Sequence, residues 1–121
     1  MEMVANSRTL SFNYSKGCIR ISYEVFQLLG LPPYIRILLN VEEKRIVVLP
    51  TDKGDIDRIK PNYQSKSFMQ HPRFYSKLLV EKIFITSHWN LDKCYRVNVE
   101  FDQDRGVFAS DLTKATETEA R

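Results

Sequence analysis

The sequence is poor in the residues that build catalytic and metal centres. Its 121 residues include two cysteines, Cys18 and Cys94, and two histidines, His71 and His88. The cysteines are far apart and share no CxxC or paired Cys/His spacing, which argues against a metal site and favours free thiols over a disulfide. No glycine-rich phosphate loop, GxSxG elbow or HExxH helix occurs. The clustered acids, Glu42-Glu43 and Asp102-Gln103-Asp104, stand where hairpin turns are expected, and turn solubility accounts for them better than acid–base chemistry. His88 beside Trp89 reads as a packed or surface residue. No enzyme, catalytic residue, metal or cofactor is expected. Long hydrophobic runs are missing too: no stretch approaches the roughly 18 apolar residues of a membrane span. The first residues, MEMVANSRTL, join no basic segment to an apolar run, so a cytoplasmic protein without a membrane partner is expected. Neither sign of charge is in large excess. Eighteen Lys and Arg against 15 Asp and Glu leave a net charge of +3, which permits nucleic-acid binding without demanding it.

What is present is periodicity. With 43% hydrophobic residues, a chain of this length can bury one modest core, expected here as a single domain over 8–112. Leu10, Phe12 and Tyr14 alternate with polar residues as a first strand, and Ser15-Lys16-Gly17 turns it into a second, in which Ile19 and Ile21 alternate with Arg20 and Ser22. The period then changes. Ser22 is placed to cap a helix that sets Val25, Leu28 and Leu29 on one face; Gly30 ends it, and Pro32 and Pro33 prevent its resumption. From Tyr34 the period is two again: Ile35, Ile37, Leu39 and Val41 share a face, 42–45 form a polar turn, and Ile46 begins the returning strand. A swapped or isolated hairpin apolar at Leu38 on its other face as well needs a partner surface, so a homo-oligomer is expected.

Residues 51–76 read as a long connecting loop with at most a short strand. Within it Lys60, Lys66, Arg73 and, just beyond, Lys77 are interleaved with Tyr63, Phe68, Phe74 and Tyr75, with no acid between them. Bases among aromatics can stack on and neutralise a nucleic-acid strand, although the same aromatics can simply anchor the loop to the body. From 77 to 112 the chain echoes its first part. Ile83-Phe84-Ile85-Thr86 matches the strand at Ile19, and Tyr95, Val97, Val99 and Phe101 alternate with polar residues ahead of a turn and a return at Val107. This predicts two half-motifs, 8–50 and 77–112, related as an internal pseudo-dimer, with a disordered polar tail at 113–121.

The run from Cys18 to Pro50 carries a resemblance. A strand, Ser22, a short helix, Leu29-Gly30-Leu31, and a hairpin ending in Lys44, Ile46, Val47, Val48 and Pro50 is similar to the AbrB/MazE/MraZ-like transcription regulators and antitoxins. It departs from them at Tyr23-Glu24 and at Pro33-Tyr34, where that family has proline and Gly-Asp. The resemblance implies a mainly β fold with one short helix, a swapped-hairpin, looped-hinge β-barrel. It also implies a transcription-regulator-like protein whose partner is double-stranded DNA. The matching DNA-contact positions are Arg8, Lys16 and Arg20. Arg36, on the polar face of its strand, can project as well, and Lys60, Lys66 and Arg73 form a secondary patch. The alternative is a protein-interaction or assembly module on the same fold without DNA binding.

Overall fold

The computed structural model describes residues 8–118. The lead-in before residue 8 and the last three residues of the expected tail lie outside them. In the first half, local pattern and observed structure agree closely. Strands β1 (Thr9–Asn13) and β2 (Cys18–Ile21) form a hairpin that buries Leu10, Phe12, Ile19 and Ile21 on one face. Its turn depends on Gly17 twice over: the backbone there has φ +60°, and an added Cβ would lie 2.8 Å from Lys77 Cγ. Helix α1 (Tyr23–Leu28) follows and buries Val25 and Phe26. Ser22 does not cap it with its side chain. Its hydroxyl instead accepts from the Thr9 backbone N–H at 2.9 Å, tying the helix start to β1. Gly30, at φ +84°, ends the helix as its sequence position suggests. The hairpin of β3 (Tyr34–Asn40) and β4 (Arg45–Thr51) comes next, paired from Tyr34↔Thr51 to Asn40↔Arg45.

The 51–76 segment is more ordered than its irregular text suggests. Ile59 exchanges backbone hydrogen bonds with Ile35 at 2.8 and 2.9 Å, sewing the loop onto the edge of β3. Ser65 caps a short helix α2 (Lys66–Gln70), accepting from the Phe68 N–H, and strand β5 (Arg73–Tyr75) then adds to the free edge of β2. Tyr63, Phe68 and Phe74 pack round Phe26, with ring centroids 5.8–6.1 Å from it. These aromatics therefore anchor the loop to the body.

The second half departs from the expected echo. Residues 83–86, expected as a strand, lie inside helix α3 (Lys77–Ser87). The physical reason is the wider pattern: Ser76 caps the helix through the Leu79 N–H, and Val80, Ile83 and Phe84 recur at three and four residues. A strand would bury Ile83 and Ile85 together, whereas Ile85 is 64% exposed. His88 closes the helix in the left-handed conformation, and the Trp89 N–H donates back to the Phe84 carbonyl.

The alternation from Tyr95 to Asp102 is likewise split. Strand β6 (Cys94–Asn98) pairs with β1, while β7 (Glu100–Asp102) pairs with β8 (Val107–Asp111), which lies beside β4. The chain crosses from one sheet to the other at Val99, whose N–H donates to the Arg8 carbonyl. Alternation runs on through this corner because both sheets present their inner faces to the same core. The expected tail is ordered as far as it is described: a 3₁₀ turn at Leu112–Lys114 leads into β9 (Thr116–Thr118) on the outer edge of β6.

The protein is thus mainly β, with two antiparallel sheets in the orders β5-β2-β1-β6-β9 and β3-β4-β8-β7. They do not close into a barrel. Each keeps two edges, and β6 and β7 are joined through the chain rather than by pairing. Among the described residues three α-helices are present where one was expected. Both sheets bury residues in one continuous core with α1 and α3, where Phe84 packs edge-on to Trp89 and Tyr95 and the last two rings stack at 4.3 Å.

Candidate functional site

Because successive side chains of a strand point to opposite faces, the inward set of the five-stranded sheet dictates its outward set. With Leu10, Phe12, Ile19, Ile21, Tyr95 and Val97 buried, the other face carries Ser11, Asn13, Cys18, Arg20, Arg73, Tyr75, Cys94 and Arg96. Helices α1, α2 and α3 pack through Phe26, Phe68 and Phe84 on the inner side. The register aligns the outward residues in two rows. One runs Arg73, Arg20, Ser11, Arg96, Thr116, and the next Tyr75, Cys18, Asn13, Cys94, Thr118. Neighbours within a row sit about 4.8 Å apart, so Arg73 and Arg20 stand side by side and Arg96 about two strand spacings beyond.

The rows line a concave pocket of about 280 Å³, with Lys16 from the β1–β2 turn on its rim and, among the described residues, no acid in its walls. Among the described residues, ion pairs occupy Arg36, Arg45 and Arg105, but none engages Lys16, Arg20, Arg73 or Arg96. Two like charges directly opposite one another on neighbouring strands destabilise a sheet, so the Arg73–Arg20 pair carries a cost that no carboxylate among the described residues offsets. Burial raises the Cys18 thiol above its ordinary range. The nearby Arg20, Arg73 and Lys16 oppose that shift without cancelling it. Cys18 therefore stays a neutral thiol at physiological pH and is a poor nucleophile. It lies beside Asn13, which separates it from Cys94 on the next strand; two strand spacings, about 10 Å, are too far for a disulfide.

Of the seven cationic positions expected from sequence, the fold gathers Lys16, Arg20 and Arg73 at this pocket. Arg36 is elsewhere. It lies on the second sheet and is held by Asp55 at 3.4 Å and Asp57 at 3.2 Å. Asp55 is fixed as an anion there: hydrogen bonds from the Asp57 N–H and the Thr51 hydroxyl, with Arg36 beside it, lower its pKa. Lys60 and Lys66 are exposed on the segment between β4 and β5 and do not line the pocket. Arg8 stands just before β1, where its carbonyl receives the Val99 N–H. Arg96 was missed. Its alternation with Tyr95 and Val97 marks it as outward, but no local signal tells that β6 lies against β1.

Among the described residues no group of three or more potential metal ligands comes together, and no helix is long and apolar enough to cross a membrane. A comparison with protein-family models, curated proteins and solved structures finds no match to this chain.

Proposed function

We propose that the protein binds a nucleic acid through its phosphates, on the outer face of the five-stranded sheet. The observation that carries this reading is the row of Arg73, Arg20 and Arg96, with Lys16 beside it, on a concave face to which no described residue contributes an acid. Uncompensated cations in a row on a rigid sheet suit an anionic polymer: they fix its position and orientation while carrying no sequence preference of their own. The similarity of 18–50 to AbrB-like regulators adds support, since Lys16 and Arg20 are matching DNA-contact positions and both belong to this face. On that reading the β3–β4 hairpin corresponds to the family's swapped hairpin, and the protein is a regulator of transcription.

The runner-up, a protein-interaction module, is favoured by a different surface. Leu38, Val47 and Ala109 form an apolar row across the outer face of the four-stranded sheet.

Fluorescence anisotropy with labelled mixed-sequence oligonucleotides, titrated across salt, separates the two. Four cations on four phosphates give a slope of log affinity against log salt of about −3. Arg20→Ala and Arg73→Ala should each weaken binding about fivefold, on the order of 1 kcal/mol, and flatten the slope by about one. For Arg20→Ala stability should move by less than about 0.5 kcal/mol, because Arg20 is exposed and its truncation opens no cavity. Arg36→Ala, its cation already paired with acids, should leave binding unchanged. Folded wild-type protein that binds no oligonucleotide at low salt would transfer the function to the interaction surface.

A further inference from the structure

We infer that the nucleic acid taken by this face is single-stranded, with one base stacked on Tyr75 beside the Arg73–Arg20 pair; this rests on the phosphate-binding reading above and replaces the double-stranded DNA that the AbrB-like resemblance implies. Three features of the face lead there.

The first is Tyr75 itself. On β5, Phe74 turns inward and is packed against Phe26 and Phe68, while Tyr75 turns outward and is 66% exposed. Its ring therefore does little for the core. It stands one residue pair along the strand from Arg73, on the same face, about 7 Å away. Adjacent phosphate and base of one nucleotide require such a cation and such a ring side by side, and stacking on an aromatic ring is tolerant of base identity.

The second is the pocket. Its volume of about 280 Å³ falls just below the usual range of ligand pockets, roughly 300–1,000 Å³, and suits one base or sugar-phosphate unit rather than a larger ligand. Its floor offers a neutral polar group, the Ser11 hydroxyl, between Arg20 and Arg96, while the Asn13 side-chain oxygen already accepts from the Ser15 hydroxyl at 2.9 Å and the Lys16 N–H at 3.1 Å. A base edge or a sugar hydroxyl can be hydrogen-bonded there only when the nucleotide is unstacked and free to turn inward. A duplex keeps its bases in the stack and opens only their edges, at the bottom of its grooves.

The third is relief. Reading a duplex from its major groove takes a helix or ribbon that enters a channel about 12 Å wide. The three helices pack on the other side of this sheet, and the face they leave open is concave. A flexible single strand can follow a concavity that a stiff duplex spans.

The experiment compares a labelled mixed-sequence 12-mer, as single-stranded RNA and as single-stranded DNA, with the same sequence annealed as a duplex, at one fixed salt concentration. At least one of the single strands should bind about tenfold or more tightly than the duplex. Tyr75→Ala should weaken single-strand binding by about fivefold or more and leave the duplex unaffected, while Tyr75→Phe, which keeps the ring, should bind as wild type. Tyr75 is exposed, and far-UV circular dichroism of each variant verifies its fold. Duplex binding equal to or tighter than that of both single strands, or a Tyr75→Ala variant that binds single strands as wild type does, overturns this inference and leaves phosphate binding standing. Absence of binding to all three oligonucleotides by folded protein overturns both.

Discussion

Replacing Phe26 by alanine removes the ring around which the loop and the edge of the basic sheet are held. Phe26 is fully buried, and its ring lies 6.3 Å from Tyr23, 6.1 Å from Tyr63, 5.8 Å from Phe68 and 6.1 Å from Phe74. A buried Phe→Ala change costs about 3–5 kcal/mol through lost transfer energy and the cavity left behind. The loss belongs toward the upper end here, because four aromatic pairs are broken at once and each is worth about 0.5–1.5 kcal/mol beyond its buried area. A domain of this size has about 5–15 kcal/mol of stability in all, so the variant should fold but lose a large share of it. With a urea m-value of about 2 kcal/mol/M, the midpoint should fall by about 2 M. The damage is also local in a way that touches the site. Phe74 loses its neighbour, and β5, which holds Arg73 and Tyr75 through only three residue pairs with β2, should show faster amide exchange than β1. Urea melts of Phe26→Ala beside Ile56→Ala, whose side chain is 90% exposed, test the argument. A loss below about 1.5 kcal/mol for Phe26→Ala, or an equal loss for Ile56→Ala, would refute it.

Two other outcomes follow from the structure. The Tyr63 hydroxyl donates to the Pro32 carbonyl at 2.6 Å, and burial, with Tyr23 nearby, pushes its pKa from 10.0 up to about 12. The unfolded chain therefore ionises first, so stability present below pH 10 should decline as the pH rises toward 12; Tyr63→Phe should shrink that decline at a cost of about 1 kcal/mol at neutral pH, measured by urea melts across the range. On the second sheet, the row of Leu38, Val47 and Ala109, with Leu38 39% exposed, is the surface on which the homo-oligomer expected from the sequence is to be tested. Light scattering at tens of micromolar should give at least twice the 14.2 kDa chain mass and Leu38→Asp should lower it, whereas a wild-type monomer would reject the association.

Between Thr9 and Thr51 the elements are legible in the sequence because each is specified by its own neighbours. Alternation sets β1 to β4, Gly17 and Gly30 supply the left-handed turns, and Pro32 and Pro33 keep α1 short. The same local logic misread 83–86, since Ile-Phe-Ile suits either period, and the deciding signal was Ser76, seven residues earlier. Alternation also told which side of its own strand each arginine occupies. It could not tell which strands lie side by side. Arg20 comes from the first hairpin, Arg73 from the end of an irregular segment and Arg96 from beyond a helix; they share a row only because β5 and β6 pair with β2 and β1 in one particular register. That register is held by the inward residues, Phe74 against Ile19 and Phe12 against Tyr95, because a slip of one residue would turn these buried side chains to the outer face. The chain's own text thus determined strands β1 to β4, their turns and the polar side of each, while the later strands' pairing, the pocket and its row of cations were decided by long-range packing, because a side-chain period carries no information about its neighbour's identity.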